Sequence, residues 1–74
     1  MTKREKEMLF DAEKGIYELR KLIKESGREL TRGEFASLTS GYINGLGFAL
    51  NALDIEVSED FEEETIALMN RIIG

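Results

Sequence analysis

The chain contains no cysteine, no histidine and no proline. Without cysteine there is no disulfide to staple the fold and no thiolate to hold zinc. Without histidine the commonest neutral metal ligand and general base is missing, and neither a Ser-His-Asp nor a Cys-His arrangement can be assembled. With no proline, no low-complexity tract and no internal repeat, nothing marks a linker, so the 74 residues form one domain, 1–74. Basic residues are scarce as well after Arg32. Residues 33–74 hold Arg71 alone against eight Asp/Glu, whereas residues 1–32 hold nine Lys/Arg against seven Asp/Glu. Nucleic-acid binding depends on Lys and Arg neutralising phosphates, and most of this chain, with its net charge of −5, cannot contribute to it.

Long apolar runs are missing too. No window approaches the roughly 18–20 apolar residues of a membrane span, and the amino terminus MTKREKEMLF lacks the apolar stretch of a signal peptide. These features predict a soluble, cytoplasmic protein. A domain this small buries only about 60% of its unfolded surface. With no staple to compensate, self-association is the expected further source of buried area, and the chain is read as an oligomer.

What is present is helical periodicity. Leu9, Ala12, Ile16, Leu19 and Ile23 recur at alternating spacings of three and four, which makes one apolar stripe on a helix over about 2–25. Ser26 and Gly27 end it, because glycine takes the left-handed conformation a helix stop prefers. Thr31 and Glu34 form a capping box, starting a second helix over about 32–53. On that helix Phe35, Leu38, Tyr42, Leu46, Ala49, Leu50 and Leu53 share the face read as core, with Ser40, Asn44 and Asn51 opposite. A third helix over about 59–73, with Ser58 as its N-cap, buries Phe61, Thr65, Leu68, Met69 and Ile72. The predicted fold is all-α: a hairpin of two longer helices plus a shorter carboxyl-terminal helix.

Three stretches carry functional expectations. The second helix accepts Gly41, Gly45 and Gly47, each costing about 1 kcal/mol against alanine in a helix interior. Gly41, Gly45 and Ala52 make a smooth flank beside Phe48, with Asn44 nearby. It is read either as packing for a helix of the same chain or as the site of a protein partner or second copy. On the first helix Phe10 and Tyr17 lie away from the apolar stripe, among Lys14, Lys21 and Lys24. The rings pack against the third helix or another subunit, or else they and Lys14 and Lys21 hold a nucleotide-like ligand, ring on base and lysine on phosphate. The acids Glu59, Asp60, Glu62, Glu63 and Glu64 complement the dipole at a helix start, or present a patch to a basic partner.

No metal, cofactor or catalytic centre is expected. A calcium loop counted from Asp54 has Glu59 where the turn needs glycine and Thr65 where it needs glutamate. Carboxylates alone serve glycosidases, but short helices offer no sugar cleft, and the glycines fit neither phosphate-loop fingerprint. The helix-turn-helix reading of residues 30–46 also fails. Its recognition helix, Tyr42 to Leu53, has no Lys or Arg, which argues against direct DNA binding.

Two short likenesses accompany these patterns. ELTRGEFA at residues 29–36, followed by Ser40, resembles the second-helix start in the Hha family, small helical modulators of a nucleoid protein. It covers about a dozen residues, most of them a capping box, and the acidic carboxyl-terminal half departs from that family. A long helix followed by one carrying Gly47, Phe48, Ala49 and Leu50 is similar to phage anti-CBASS proteins, which sequester cyclic oligonucleotides between subunits of a helical oligomer. Both likenesses imply a non-enzymatic binder. The expectation is therefore a small acidic interaction protein, not an enzyme, that binds and inhibits or adapts a protein partner. Regulators and counter-defence proteins of phage type are the analogues. The alternatives are an oligomeric binder of a nucleotide-like ligand and an acidic mimic of nucleic acid.

Overall fold

The computed structural model describes all 74 residues and contains three helices and no strand: α1, Lys3–Glu25; α2, Arg32–Ala52; α3, Phe61–Ile73. Each helix packs against both others, in a body of 39 × 24 × 19 Å. The all-α, three-helix expectation holds. So does the Thr31 cap, and Thr2, read as the start of the first helix, proves to be a second cap of the same kind. The Thr2 hydroxyl accepts from the Glu5 N–H at 3.1 Å while the Thr2 N–H donates to Glu5 Oε1 at 2.7 Å. Thr31 and Glu34 repeat the arrangement at the start of α2. Each pair satisfies amides that the first helical turn leaves free.

The two long helices end alike. At α1 the Gly27 N–H reaches the Lys24 carbonyl and the Arg28 N–H reaches that of Ile23, with Gly27 at φ +94°. At α2 the Asp54 N–H reaches Asn51 and the Ile55 N–H reaches Leu50, with Asp54 at φ +53°. Both are Schellman stops. The second puts an aspartate where glycine is the usual occupant, tolerable because a short polar side chain enters the left-handed region more easily than most.

The core consists of Leu9, Ala12 and Ile16 of α1, Phe35 and Ile43 of α2, and Phe61, Leu68 and Ile72 of α3. The expected stripes of α1 and α3 are therefore the buried ones. The expected face of α2 is buried in part: Phe35 is in the core, and Leu38, Leu46 and Leu50 pack against it half-buried. Tyr42, Ala49 and Leu53 are exposed, while Thr39 and Ile43 are buried. Tyr42 lies toward α1, its hydroxyl close against Gly15. A helix wedged between two others must also bury residues toward α3, which moves the core line to Phe35, Thr39, Ile43 and Leu50. Thr39 is fully buried and unstrained electrically, because its hydroxyl donates to the Phe35 carbonyl at 2.9 Å.

A second correction concerns α3. Its first helical residue is Phe61, its N-cap is Asp60, and no side chain caps it. Ser58 is engaged elsewhere: its hydroxyl donates to Glu5 Oε1 at 2.6 Å and its N–H to Glu5 Oε2 at 2.7 Å. Glu5 is thereby 6% exposed, a buried carboxylate with no buried side-chain polar atom left unpaired around it. The terminal ammonium of Met1 joins the same corner through Asp60 at 2.9 Å.

The Ser58 hydroxyl, then the Ser58 N–H and the Thr2 N–H, hold the Glu5 carboxyl down to about 2 from an ordinary 4.5. A lowered folded value means that the carboxylate's contribution is complete above pH 4.5 and is lost as the pH falls toward 2. Glu5→Gln is therefore expected to melt below the wild type at pH 7, with the gap closing between pH 4.5 and 2. Thermal melts followed by circular dichroism check this. A gap independent of pH would show that the carboxylate's charge is not what binds the corner.

Candidate functional site

The largest concavity is a groove between α2 and α3, about 650 Å³ in volume. Ile43 and Leu50 of α2, Ile55 and Val57 of the connection, and Phe61, Ile66 and Met69 of α3 make it mainly apolar. Asn44, Asn51, Glu62 and Thr65 are its polar members. The floor is a by-product of how the chain folds locally. The Schellman stop turns Ile55 back beside Leu50, and the Ser58–Glu5 bonds draw the connection across the end of α1. Gly47 also lines the groove, and a Cβ there would meet nothing within 4 Å. Its missing side chain keeps that wall low.

Gly41, Gly45 and Ala52 are exposed, with Phe48 76% exposed among them. A Cβ at Gly41 or Gly45 would meet nothing within 4 Å. The flank thus accommodates no helix of its own chain and lies on the side of α2 opposite the core. Of the residues expected there, Asn44 belongs to the groove, and Gly41, Gly45, Phe48 and Ala52 form an open face next to it. The glycine that does admit a neighbour is Gly15 of α1, where a Cβ would stand 2.5 Å from the Tyr42 hydroxyl.

A second hollow, about 360 Å³, lies between the carboxyl-terminal half of α1 and the α1–α2 connection. It is lined by Tyr17, Arg20, Lys21, Lys24, Arg28, Glu29 and Leu30. Tyr17 and Lys21 are therefore together as expected, while Phe10 and Lys14 lie outside it. Phe10 is 67% exposed. Tyr17 packs not on α3 but toward Phe35 at the start of α2, with ring centroids 6.1 Å apart. Arg20 and Arg28, which sequence reasoning missed, are fixed in place. The Arg20 guanidinium lies 4.5 Å from the Phe35 ring centre, and Arg28 donates to Glu34. Arg20 had a signal, since it stands three residues beyond Tyr17 and one helical turn on; Arg28, beyond the helix end, had none.

The acids Glu59, Asp60, Glu62, Glu63 and Glu64 are exposed around the start of α3, three of them in its first turn. There they complement the helix dipole. No three of the chain's carboxylates converge as metal ligands would. No helix is long and apolar enough to cross a membrane.

No family model matches the chain, and no curated protein or solved structure compared with it is similar enough to count as a relative. The two likenesses in the sequence rest on their few residues alone.

Because Gly41 and Gly45 are helical, exposed and free of contacts, alanine at either should raise the stability of the isolated chain by about 0.5–1 kcal/mol. Urea unfolding of Gly41→Ala and Gly45→Ala measures this. Destabilisation would mean that in solution the face is already covered by something the extra methyl displaces.

Proposed function

We propose that this chain is a non-enzymatic interaction protein whose α2–α3 groove seats a cationic amphipathic helix of a protein partner. Charge is the observation that carries the reading. The groove is apolar, and it lies in the part of the chain, residues 33–74, that holds eight acids and only Arg71 as a cation. A helix lays its apolar side into such a groove, and its flanking Lys and Arg would meet Glu62 and the other acids of α3. Asn44 and Asn51, at the groove, offer amides that can fix register. Seating a helix this way acts by masking it or by bridging it to something else, which is inhibition or adaptation.

Surface area supports a missing partner. A monomer of 8.4 kDa normally exposes on the order of 4,600 Å², and this chain exposes 5544 Å². The excess of roughly 900 Å² is close to the ~800 Å² that one side of a standard interface buries. Ile55, Val57 and Ile66 contribute exposed apolar surface at the groove, and Phe48 and Leu53 contribute more elsewhere on α2 and at its end.

A Leu/Lys amphipathic peptide helix, labelled for fluorescence anisotropy, is expected to bind, and a Leu/Glu helix of the same pattern is not. Gly47→Leu places its Cβ where nothing lies within 4 Å and its branched end in the groove, so it should weaken binding at least about tenfold while leaving the melting temperature unchanged or higher. Equal binding of both peptides, or binding indifferent to Gly47→Leu, would remove the groove from consideration. A solution mass of twice the chain that Gly47→Leu returns to one would instead make a second copy the occupant.

A further inference from the structure

We infer that the hollow beside Tyr17 is a binding site for a small nucleotide-like ligand carrying at least two phosphates. Four of the chain's ten Lys and Arg line it, against Glu29 in the lining and Glu34, which pairs with Arg28 from beside it. That concentration sits in a protein of net charge −5, so it is not the drift of a generally basic surface. The end of α1 explains only part of it. A helix carboxyl terminus carries the equivalent of about half a negative charge, which Lys24 in the last turn already offsets.

Preorganisation separates this hollow from a loose basic patch. Arg20 is held over Phe35, and Arg28 is held by Glu34, whose carboxylate is itself fixed by the Thr31 cap. The Arg20 guanidinium has no carboxylate partner and is available to phosphate oxygens, the pairing that arginine geometry suits best, while Arg28, paired with Glu34, keeps its remaining N–H groups for them. Lys21 and Lys24 make no hydrogen bond or ion pair within the chain, so their ammonium groups are free to turn toward a ligand. The Tyr17 ring is 45% exposed beside them and gives an aromatic ligand a surface to stack on. The volume, about 360 Å³, lies within the range of small-molecule sites, roughly 300–1,000 Å³. The hollow shares no lining residue with the α2–α3 groove, so the two sites stand or fall separately.

Isothermal titration with ADP and with inorganic pyrophosphate, free of divalent metal, tests the proposal. ADP should bind more tightly than pyrophosphate, and Tyr17→Leu should erase the difference. Lys21→Glu/Lys24→Glu should weaken ADP at least about tenfold, as losing charge-assisted hydrogen bonds does. Lys14→Glu, outside the hollow, and Gly47→Leu, in the groove, should leave ADP affinity within about twofold. The inference is overturned if ADP does not bind at millimolar concentration, or if Lys14→Glu weakens it as much per charge as the hollow variants do. If pyrophosphate equals ADP in the wild type, the nucleotide assignment fails.

Discussion

The corner that most of this molecule depends on is one buried carboxylate. Glu5 closes the cap of α1 through Thr2, and with the same two oxygens it accepts both the N–H and the hydroxyl of Ser58. A charge removed from water is stable only when its acceptor sites are filled, and here three donors fill them. The consequence reaches beyond the cap. Ser58 lies between Val57 and the start of α3, so the Glu5 bonds decide where α3 begins and where Ile55 and Val57 come to rest. Those two residues are part of the groove. An interaction near the amino terminus therefore shapes a surface built almost wholly from residues beyond 42.

Glycine placement tells two different stories along the chain. Gly15 permits the Tyr42 hydroxyl to approach α1, which is a glycine used for packing inside the fold. Gly41, Gly45 and Gly47 permit nothing inside it, since the places their side chains would occupy are open. Each still carries the helix-propensity cost of glycine, about 1 kcal/mol. A small domain with ten buried residues has little stability to spare, so three uncompensated glycines in one helix are a reason to look outward from α2. Gly47 has a definite use there, because a side chain at that position would occupy the groove.

Much of the architecture was legible because the local signals were strong. The Thr31 cap, Gly27 and the α1 stripe each have one physical reading, and the structure follows them. The α2 face was misread because periodicity measures one direction at a time, while a helix between two neighbours buries two. Ile43 is in the core and also lines the groove toward α3, and buried Thr39 looks polar until its hydroxyl is seen bonded to its own helix. Ser58 was misread because serine ahead of a helix is ambiguous: its oxygen can accept from the first turn or donate to a carboxylate, and the partner here is 53 residues away. The groove had no sequence signal as a unit, since its residues come from α2, the connection and α3. Only part of the basic hollow was visible, through Tyr17, Lys21 and Lys24, because Arg28 enters it from beyond the helix end.

The division of charge also bears on what covers the groove. Two copies meeting groove to groove would bring together the halves in which eight acids face Arg71 alone, and like charges facing each other oppose such an isologous pair. The exposed side of α1 has the opposite character: Lys3, Lys6, Phe10, Lys14, Tyr17, Lys21 and Lys24 share one helical face. A second copy could offer that face to the groove only head to tail, a contact that leaves a free groove at one end and a free α1 at the other unless the rotation closes a ring. It would also cover the hollow beside Tyr17, setting assembly against ligand binding. A separate cationic helix satisfies the same groove with no open end and leaves α1 uncovered, which is why a distinct partner is the better occupant.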